Sequence, residues 1–380
     1  MTSNSQMNLP LSISIQPSQF VISLFLVFGL GFSPSVFAQD TIRTYYDEEN
    51  LRVKEILTKV NGKAQGQVRL FDPEGNLILI GYLKDDKKNG LFYDLDSETG
   101  DTLRMMEFVN NLRQGPSKSF FPNGQISQES NFVNNQLEGL VTTYYENGQI
   151  QDQTTFKANK PNGESISYFE NGQIQTKANF LAGQYEGEYK EYDEEGNLLY
   201  ETQYTKGVLN GPETTYFEDG SIKSRRNFSN GVLDGQYLLY YPTGQIERKG
   251  NYKKGNPEGE LLEYFSDGSI RMQSSYSKGI PTQPIVYFHE NGTVRQRVFF
   301  NSNGQKIREQ NYFPNGELQS FYSYINDLLD GEVKVFYENG NLKELRTYSK
   351  GRLNGPREEY DSEGQLLVSE FYENGNIIKK

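Results

Sequence analysis

Apolar and polar positions alternate along this chain in short blocks, and the blocks recur every 24 residues. The clearest copy is Tyr144-Tyr145-Glu146-Asn147-Gly148-Gln149-Ile150. Its turn glycine belongs to a series of Gly100, Gly124, Gly148, Gly172, Gly196, Gly220, Gly244, Gly268, Gly292, Gly316, Gly340 and Gly364, each 24 residues from the next. Counting from that glycine, position +2 is aliphatic from Ile126 to Leu366, and position +8 is aromatic from Phe108 through Phe156, Tyr204 and Tyr252 to Tyr372. Side chains on a strand alternate faces with a period of two, so +2 and +8 are expected on one face. Position +11 is Gly, Asn or Asp from Asp86 to Gly375, and +15 is a second glycine in most copies, such as Gly139, Gly163, Gly187 and Gly211. Each unit therefore reads as strand, tight turn, strand, looser Gly-rich turn.

The turn chemistry is specific. Phe121-Pro122-Asn123-Gly124, Tyr241-Pro242-Thr243-Gly244 and Phe313-Pro314-Asn315-Gly316 carry proline two residues before the glycine. Proline fixes φ near −65°, which suits the second position of a type I turn and forbids a two-residue mirror-image turn that includes it. The glycine then takes the left-handed bulge position of a three-residue hairpin loop. Recurrent glycines among β-branched and aromatic residues leave no apolar stripe at helical spacing. The predicted fold is all-β: an elongated, open antiparallel meander of tandem ~24-residue β-hairpin repeats. Thirteen or fourteen units adding two strands each would extend about 125 to 135 Å before twist shortens them.

Composition fits a thin shared core better than a thick one. Only 35% of the 380 residues are hydrophobic, and 27 Tyr and 24 Phe supply most of the large apolar area, with no Trp and no Cys. The first 38 residues lack charged side chains and hold an apolar run from Phe20 to Phe32, followed by Ser35-Val36-Phe37-Ala38. The run is shorter than the ~20 residues of a membrane span, and small residues stand at −3 and −1 of a cleavage site after Ala38. Residues 1–38 are thus expected to be a secretory signal peptide, 39–65 a degenerate first repeat or cap, 66–369 the tandem repeats, and 370–380 a half repeat that pairs back as a C-terminal cap. This places the protein outside the cytoplasm, in the periplasm, the cell envelope or the exterior, with no stable membrane span after cleavage.

A net charge of −12 speaks against nucleic acid, which requires clustered Lys or Arg. The one histidine, His289, stands at position −3 from the turn glycine, where other copies have Phe121, Tyr145 and Phe169, or Asp72, Asp193 and Asp361. It reads as one more planar side chain in a ladder, with no triad or histidine metal site around it. Glutamates at the turn tips, such as Glu146, Glu170 and Glu194, are replaced by Pro122, Ser266 and Pro314 elsewhere, so they read as solvated tips and not as calcium ligands. No cofactor, metal site or catalytic residue is expected.

Segments such as Tyr144 to Ile150, continuing through Phe156 to Asn162-Gly163, resemble the bacterial MORN-repeat variant of YwqK-like antitoxin proteins, over about residues 41–380. The resemblance implies a β-hairpin array used for binding or scaffolding, and the family label implies an antitoxin or immunity-type protein that neutralises a toxin by direct binding. Tyr45-Tyr46-Asp47-Glu48-Glu49-Asn50-Leu51 is a degenerate first copy, with Glu49 in the glycine's place. A second resemblance, to the Tyr-Asp repeat of large secreted toxin shells, rests on Tyr192-Asp193-Glu194-Glu195-Gly196 and Tyr360-Asp361-Ser362-Glu363-Gly364.

The expected function is a non-enzymatic scaffold that offers an aromatic-rich β surface to a protein partner. The alternative is a glycan or envelope polysaccharide stacked on pairs such as Tyr240-Tyr241 and Tyr264-Phe265. The candidate surface is the −3 row: Tyr145, Phe169, Phe217, Tyr241, Phe265, His289, Phe313 and Tyr337. Gln283 and Ile307 replace the second glycine in two adjacent units, which predicts a local bend or bulge near residues 279 to 311.

Overall fold

The computed structural model describes residues 39–379; the segment 1–38 read as a signal peptide, and Lys380, lie outside the described residues. Every regular element described is a β-strand, and the strands form one antiparallel sheet of 32 strands. They pair in chain order, from Gln39–Tyr45 against Val53–Val60 to Leu366–Glu373 against Asn376–Lys379, and the ends do not close on each other. The segment Asn376–Lys379 pairs antiparallel with the strand before it, with Tyr372 opposite Ile377.

The turn that contains the repeat glycine has the predicted form. Tyr145 N–H donates to the Gln149 carbonyl at 2.8 Å and Gly148 N–H to the Tyr145 carbonyl at 2.9 Å, closing a three-residue loop. Gly148 sits at φ 83°, the left-handed bulge position. Loop N–H groups are capped in two ways. With Asn before the glycine, Asn147 Oδ1 accepts from Gln149 N–H at 2.9 Å. Where an Asp stands three residues before it, Asp193 Oδ1 accepts from Asn197 N–H at 2.7 Å. In the first copy the left-handed residue is Asn50, at φ 60°, one position beyond Glu49.

The other turn departs from expectation: it is the tighter of the two. Lys157 pairs directly with Lys160 across Ala158 and Asn159, whose φ values are 49° and 67°. Two consecutive left-handed residues make the mirror-image two-residue turn whose twist matches that of the strands. Its first position tolerates Ala182, Lys206 and Lys254 at φ near 50°, so composition hid half of the motif. The +15 glycine is not in this turn. Gly163 lies inside the strand Lys160–Tyr168, at a bulge, and pairs across the ladder with Phe180. A further correction concerns +2 and +8. Thr143 pairs with Asp152 but Tyr144 pairs with Ile150, so a bulged residue resets the alternation and puts Ile150 on the face opposite Phe156.

Successive units are tied at both edges. At the two-residue turns, Gly207 N–H donates to the Tyr185 carbonyl at 2.8 Å, and Gly183, Gly231 and Gly255 do the same one unit apart. Beside this bond, Glu186 accepts from Lys206 N–H at 2.7 Å, as do Glu258 from Lys278 at 2.6 Å and Asp330 from Lys350 at 2.9 Å. In these units position +14 is a carboxylate that holds the next repeat's turn. At the three-residue loops, Asn171 Nδ2 donates to the Glu194 carbonyl at 2.8 Å, and Asn339 to that of Ser362 at 2.9 Å.

The most buried positions run down the middle of the face that carries +8. Register links Val141 to Thr154, Thr154 to Ser165, Ser165 to Ala178, and onward through Thr202 and Glu213. Val141, Thr154, Ala178, Thr202 and Glu213 are all buried. Small hydroxyls pair across the strands, Thr154 with Ser165 at 2.7 Å and Thr215 with Ser224 at 2.7 Å. Gly81 belongs to this row because the Phe92 ring lies across it, 2.1 Å from where a Cβ would stand.

The expected irregularity is present. Thr282 and Gln283 interrupt the strand after Ile280–Pro281, and the following turn becomes a three-residue loop, with Asn301 N–H donating to Gln305 at 2.9 Å and Gly304 at φ 79°. In the hairpin of Val294–Phe300 with Lys306–Tyr312 the register shift falls beside the loop, between Phe299 and Phe300, and not further along the strand as between Thr154 and Phe156 in a regular unit.

The backbone account predicts a contrast at one loop. Gly148→Val forces a β-branched residue to φ > 0 and should destabilise by at least ~1 kcal/mol, while Glu146→Gln at the exposed tip should stay within about 0.5 kcal/mol. Chemical denaturation of both variants measures it, and equal midpoints would contradict the left-handed assignment.

Candidate functional site

The −3 side chains fall in a row along the three-residue-loop edge, one per unit, all half-buried. They do not converge on a common hollow. Their polar ends brace the next unit: Tyr145, Tyr241 and Tyr337 hydroxyls donate to the carbonyls of Tyr168, Tyr264 and Tyr360 at 2.7, 2.8 and 2.9 Å. His289 does likewise, its Nε2 3.1 Å from the Tyr312 carbonyl. Phe169, Phe217, Phe265 and Phe313 hold the same register position without a polar tip. Ring area in this row is available to a partner, but the hydroxyls are already used.

The residues that do converge lie elsewhere and depart from the repeat. Tyr185 stands at +13, where other copies have Pro161, Leu209, Leu233, Leu329 and Leu353. Tyr200 stands at +4, where they have Thr176, Ser224 and Ser320. Tyr189 stands in the central row, at the position of Val141, Ser165 and Leu261. Pairing of Phe180 with Tyr185, Gly187 with Tyr204 and Glu191 with Tyr200 brings these rings onto one face. Tyr185 packs against Phe180 at 4.5 Å and Tyr204 at 5.2 Å, both tilted 32°. Tyr189 meets Tyr185, Tyr204 and Tyr200 edge-on at 5.4, 5.9 and 6.1 Å. The four tyrosines, Glu191 and Leu199 line an open hollow of about 410 Å³.

Two carboxylates hold the phenols. Tyr189 donates to Glu191 at 2.6 Å, and Tyr200 to Glu213 at 3.1 Å. Glu213 is 4% exposed and lies against the Arg226 guanidinium, in a charge contact that leaves Oε1 unaligned as a hydrogen-bond acceptor. Burial first, and then the bond to Glu191, pushes the Tyr189 hydroxyl far above its ordinary 10.0. Burial and the Glu213 charge do the same to Tyr200. Among the described residues, no group of three or more His, Cys, Asp or Glu is arranged to hold a metal. The hollow can stack on a flat group or hold a cation, and burial holds the Tyr189, Tyr200 and Tyr204 hydroxyls in their protonated form. The signal for it in the sequence was the set of three tyrosines that break the repeat, which a search for what repeats passes over.

A family profile described as MORN repeat variant matches residues 113–134, 137–158, 161–182, 185–206, 209–230, 233–254, 329–350 and 353–374. This is a MORN-repeat protein. The matched units omit the irregular stretch near 279–311, where the loop type changes. No curated protein sequence matches the chain. Among solved structures it is similar to that of TcdB2-TccC3-TEV, at 11% identity and a TM-score of 0.16, covering 88% of this chain and 23% of that one. It is also similar to that of TcdB2-TccC3-Cdc42, at 13% identity and a TM-score of 0.14, covering 85% and 24%. The chain thus spans about a quarter of the length of the solved chains it matches.

The hydroxyl shifts in this MORN array carry a pH signature. A tyrosine whose folded pKa is raised contributes stability that is complete below its unfolded pKa and is lost as pH rises through the folded one. Spectrophotometric titration should show a late-ionising fraction that includes Tyr189, Tyr200 and Tyr216, the last pushed up to about 12 mainly by burial. Tyr189→Val with Tyr200→Ser, both repeat-consistent, should remove two residues from that fraction. An unchanged fraction would contradict the burial of these phenols.

Proposed function

We propose that this MORN-repeat protein is a non-enzymatic scaffold, exported from the cytoplasm, that binds a protein partner along its sheet. The observation that carries this reading is an apolar strip on the face opposite the +8 aromatics, flanking the two-residue turns. Val109, Leu112, Leu181, Val208, Val232, Ile325 and Leu328 are each 40–57% exposed there. Val109 pairs with Leu112 and Ile325 with Leu328, so the strip is doubled at two of the turns. All the described strands lie in one sheet, and no second layer covers this face. Exposed apolar surface that recurs along a soluble array is the kind of surface that protein partners cover. Export rests on the uncharged apolar run in residues 1–38, and is tested by whether the mature chain begins at Gln39.

A photo-reactive amino acid placed at Val208 or Val232, in cells, should give the same discrete protein adduct from both sites and none from Glu146 at the loop edge. Val208→Ser with Val232→Ser should then weaken the purified complex at least tenfold, with each exposed substitution altering stability by about 0.5 kcal/mol or less. Adducts that do not distinguish the strip from Glu146, or an unchanged affinity, would overturn the reading.

A further inference from the structure

We propose that the hollow lined by Tyr185, Tyr189, Tyr200 and Tyr204 is a binding site for a cationic side chain, an arginine or lysine of a protein partner. It deepens the scaffold reading and rests on it for the source of the cation.

The argument begins with what the chain does at the same register elsewhere. Lys88 pairs with Leu83 as Tyr185 pairs with Phe180, so the two occupy equivalent places. Lys88 Nζ lies over the rings of Phe92 and Phe108, 4.9 and 5.0 Å from their centroids. Those rings meet edge to face at 5.1 Å and are the register equivalents of Tyr189 and Tyr204. Arg113, one unit later, covers Phe132 at 4.3 Å. This face therefore builds aromatic corners that hold a cation, and in its first units the chain supplies the cation itself.

In the tyrosine unit it does not. The cation's place is taken by Tyr185, which enlarges the aromatic surface, and Glu191 stands at the rim of the hollow. The nearby cations are engaged elsewhere: Lys177 with Glu164 at 2.8 Å, Lys190 with Glu188 at 2.9 Å, and Arg226 with Glu213. Glu191 receives only the Tyr189 hydroxyl among the described hydrogen bonds and ion pairs. Ring faces carry partial negative charge, and a carboxylate beside them adds a full one, so the unmet requirement of the hollow is positive charge. A chain of net charge −12 also draws basic partners toward it. A neutral sugar could stack on the same rings, but it would leave the Glu191 charge uncompensated.

The repeat supplies substitutions that keep the fold. Tyr185→Leu installs the residue of Leu209 and Leu233, and Glu191→Thr installs that of Thr215. The probe is a blocked Gly-Arg-Gly tripeptide, titrated at physiological salt into the full chain carrying ring-labelled tyrosine and followed by NMR. Its citrulline counterpart and a neutral cello-oligosaccharide are titrated in parallel. Saturable shifts confined to a few tyrosine rings are expected with the arginine peptide, at least tenfold weaker with citrulline, and at least tenfold weaker in either variant. Tyr185→Leu leaves the net charge unchanged, so general attraction to an acidic protein is retained while the site is lost. Equal affinity for citrulline, equal affinity in Tyr185→Leu, no saturable shift, or preference for the oligosaccharide would each overturn the proposal. Because the peptide does not touch the apolar strip, these results stand apart from the cross-linking test of the scaffold.

Discussion

Each hairpin of this array is held by its neighbour through N–H groups that a lone hairpin would leave to water. At the two-residue turn, two consecutive left-handed residues direct their N–H groups along the sheet. One donates to a carbonyl of the preceding unit, as Gly207 does to Tyr185, and the other to a side chain, as Lys206 does to Glu186. Backbone polar groups need partners, and here the partner is 20 or 22 residues earlier in the chain. That requirement fixes the repeat length: a residue gained or lost would carry the donor past its acceptor. It also accounts for where the pattern lapses. Thr282 stands at the +14 position but turns its hydroxyl to the Ser275 carbonyl at 3.2 Å, and the next turn adopts the other loop type.

Much of this was legible from residue types. Pro122, Asn123 and Gly124 specify a three-residue loop because each restricts φ in a different way, and the loop is as they dictate. The second turn was harder to read because Ala158, Ala182 and Lys206 take left-handed φ without being residues that favour it. Their conformation is imposed by the strands on either side and by the acceptor in the neighbouring unit, neither of which is local in sequence. The +14 acceptors were hidden for a related reason: Asn162, Glu186, Asn210 and Asp234 look like solvated loop residues until the array stacks them against a turn. Ile150 was assigned to the wrong face because a bulge is invisible to a period of two.

The tyrosine hollow illustrates the complementary blind spot. A repeat is recognised by what recurs, while a specific site in an array is made by what does not. Tyr185, Tyr189 and Tyr200 are separate departures in sequence, and pairing between adjacent strands joins them into one surface. The −3 row was the more conspicuous candidate because it does recur, and the bonds from Tyr145, Tyr241, Tyr337 and His289 to the next unit show why: recurrence there serves the stacking of the loops. An array so constructed can vary its face residues one unit at a time, because the edges and not the faces keep the units in register.

The most direct test of that account is hydrogen exchange at a single amide. Replacing Glu186 with Ala deletes the side-chain acceptor of Lys206 N–H and leaves both strands, their register and the carbonyl bond of Gly207 in place. The account predicts that the Lys206 amide loses most of its protection, that the loss spreads to the hairpin around it, and that Glu194→Ala at the opposite, exposed loop tip leaves the Lys206 amide unchanged. Undiminished protection at Lys206 in the Glu186 variant would contradict it, and would mean that the turns keep their form without their neighbours.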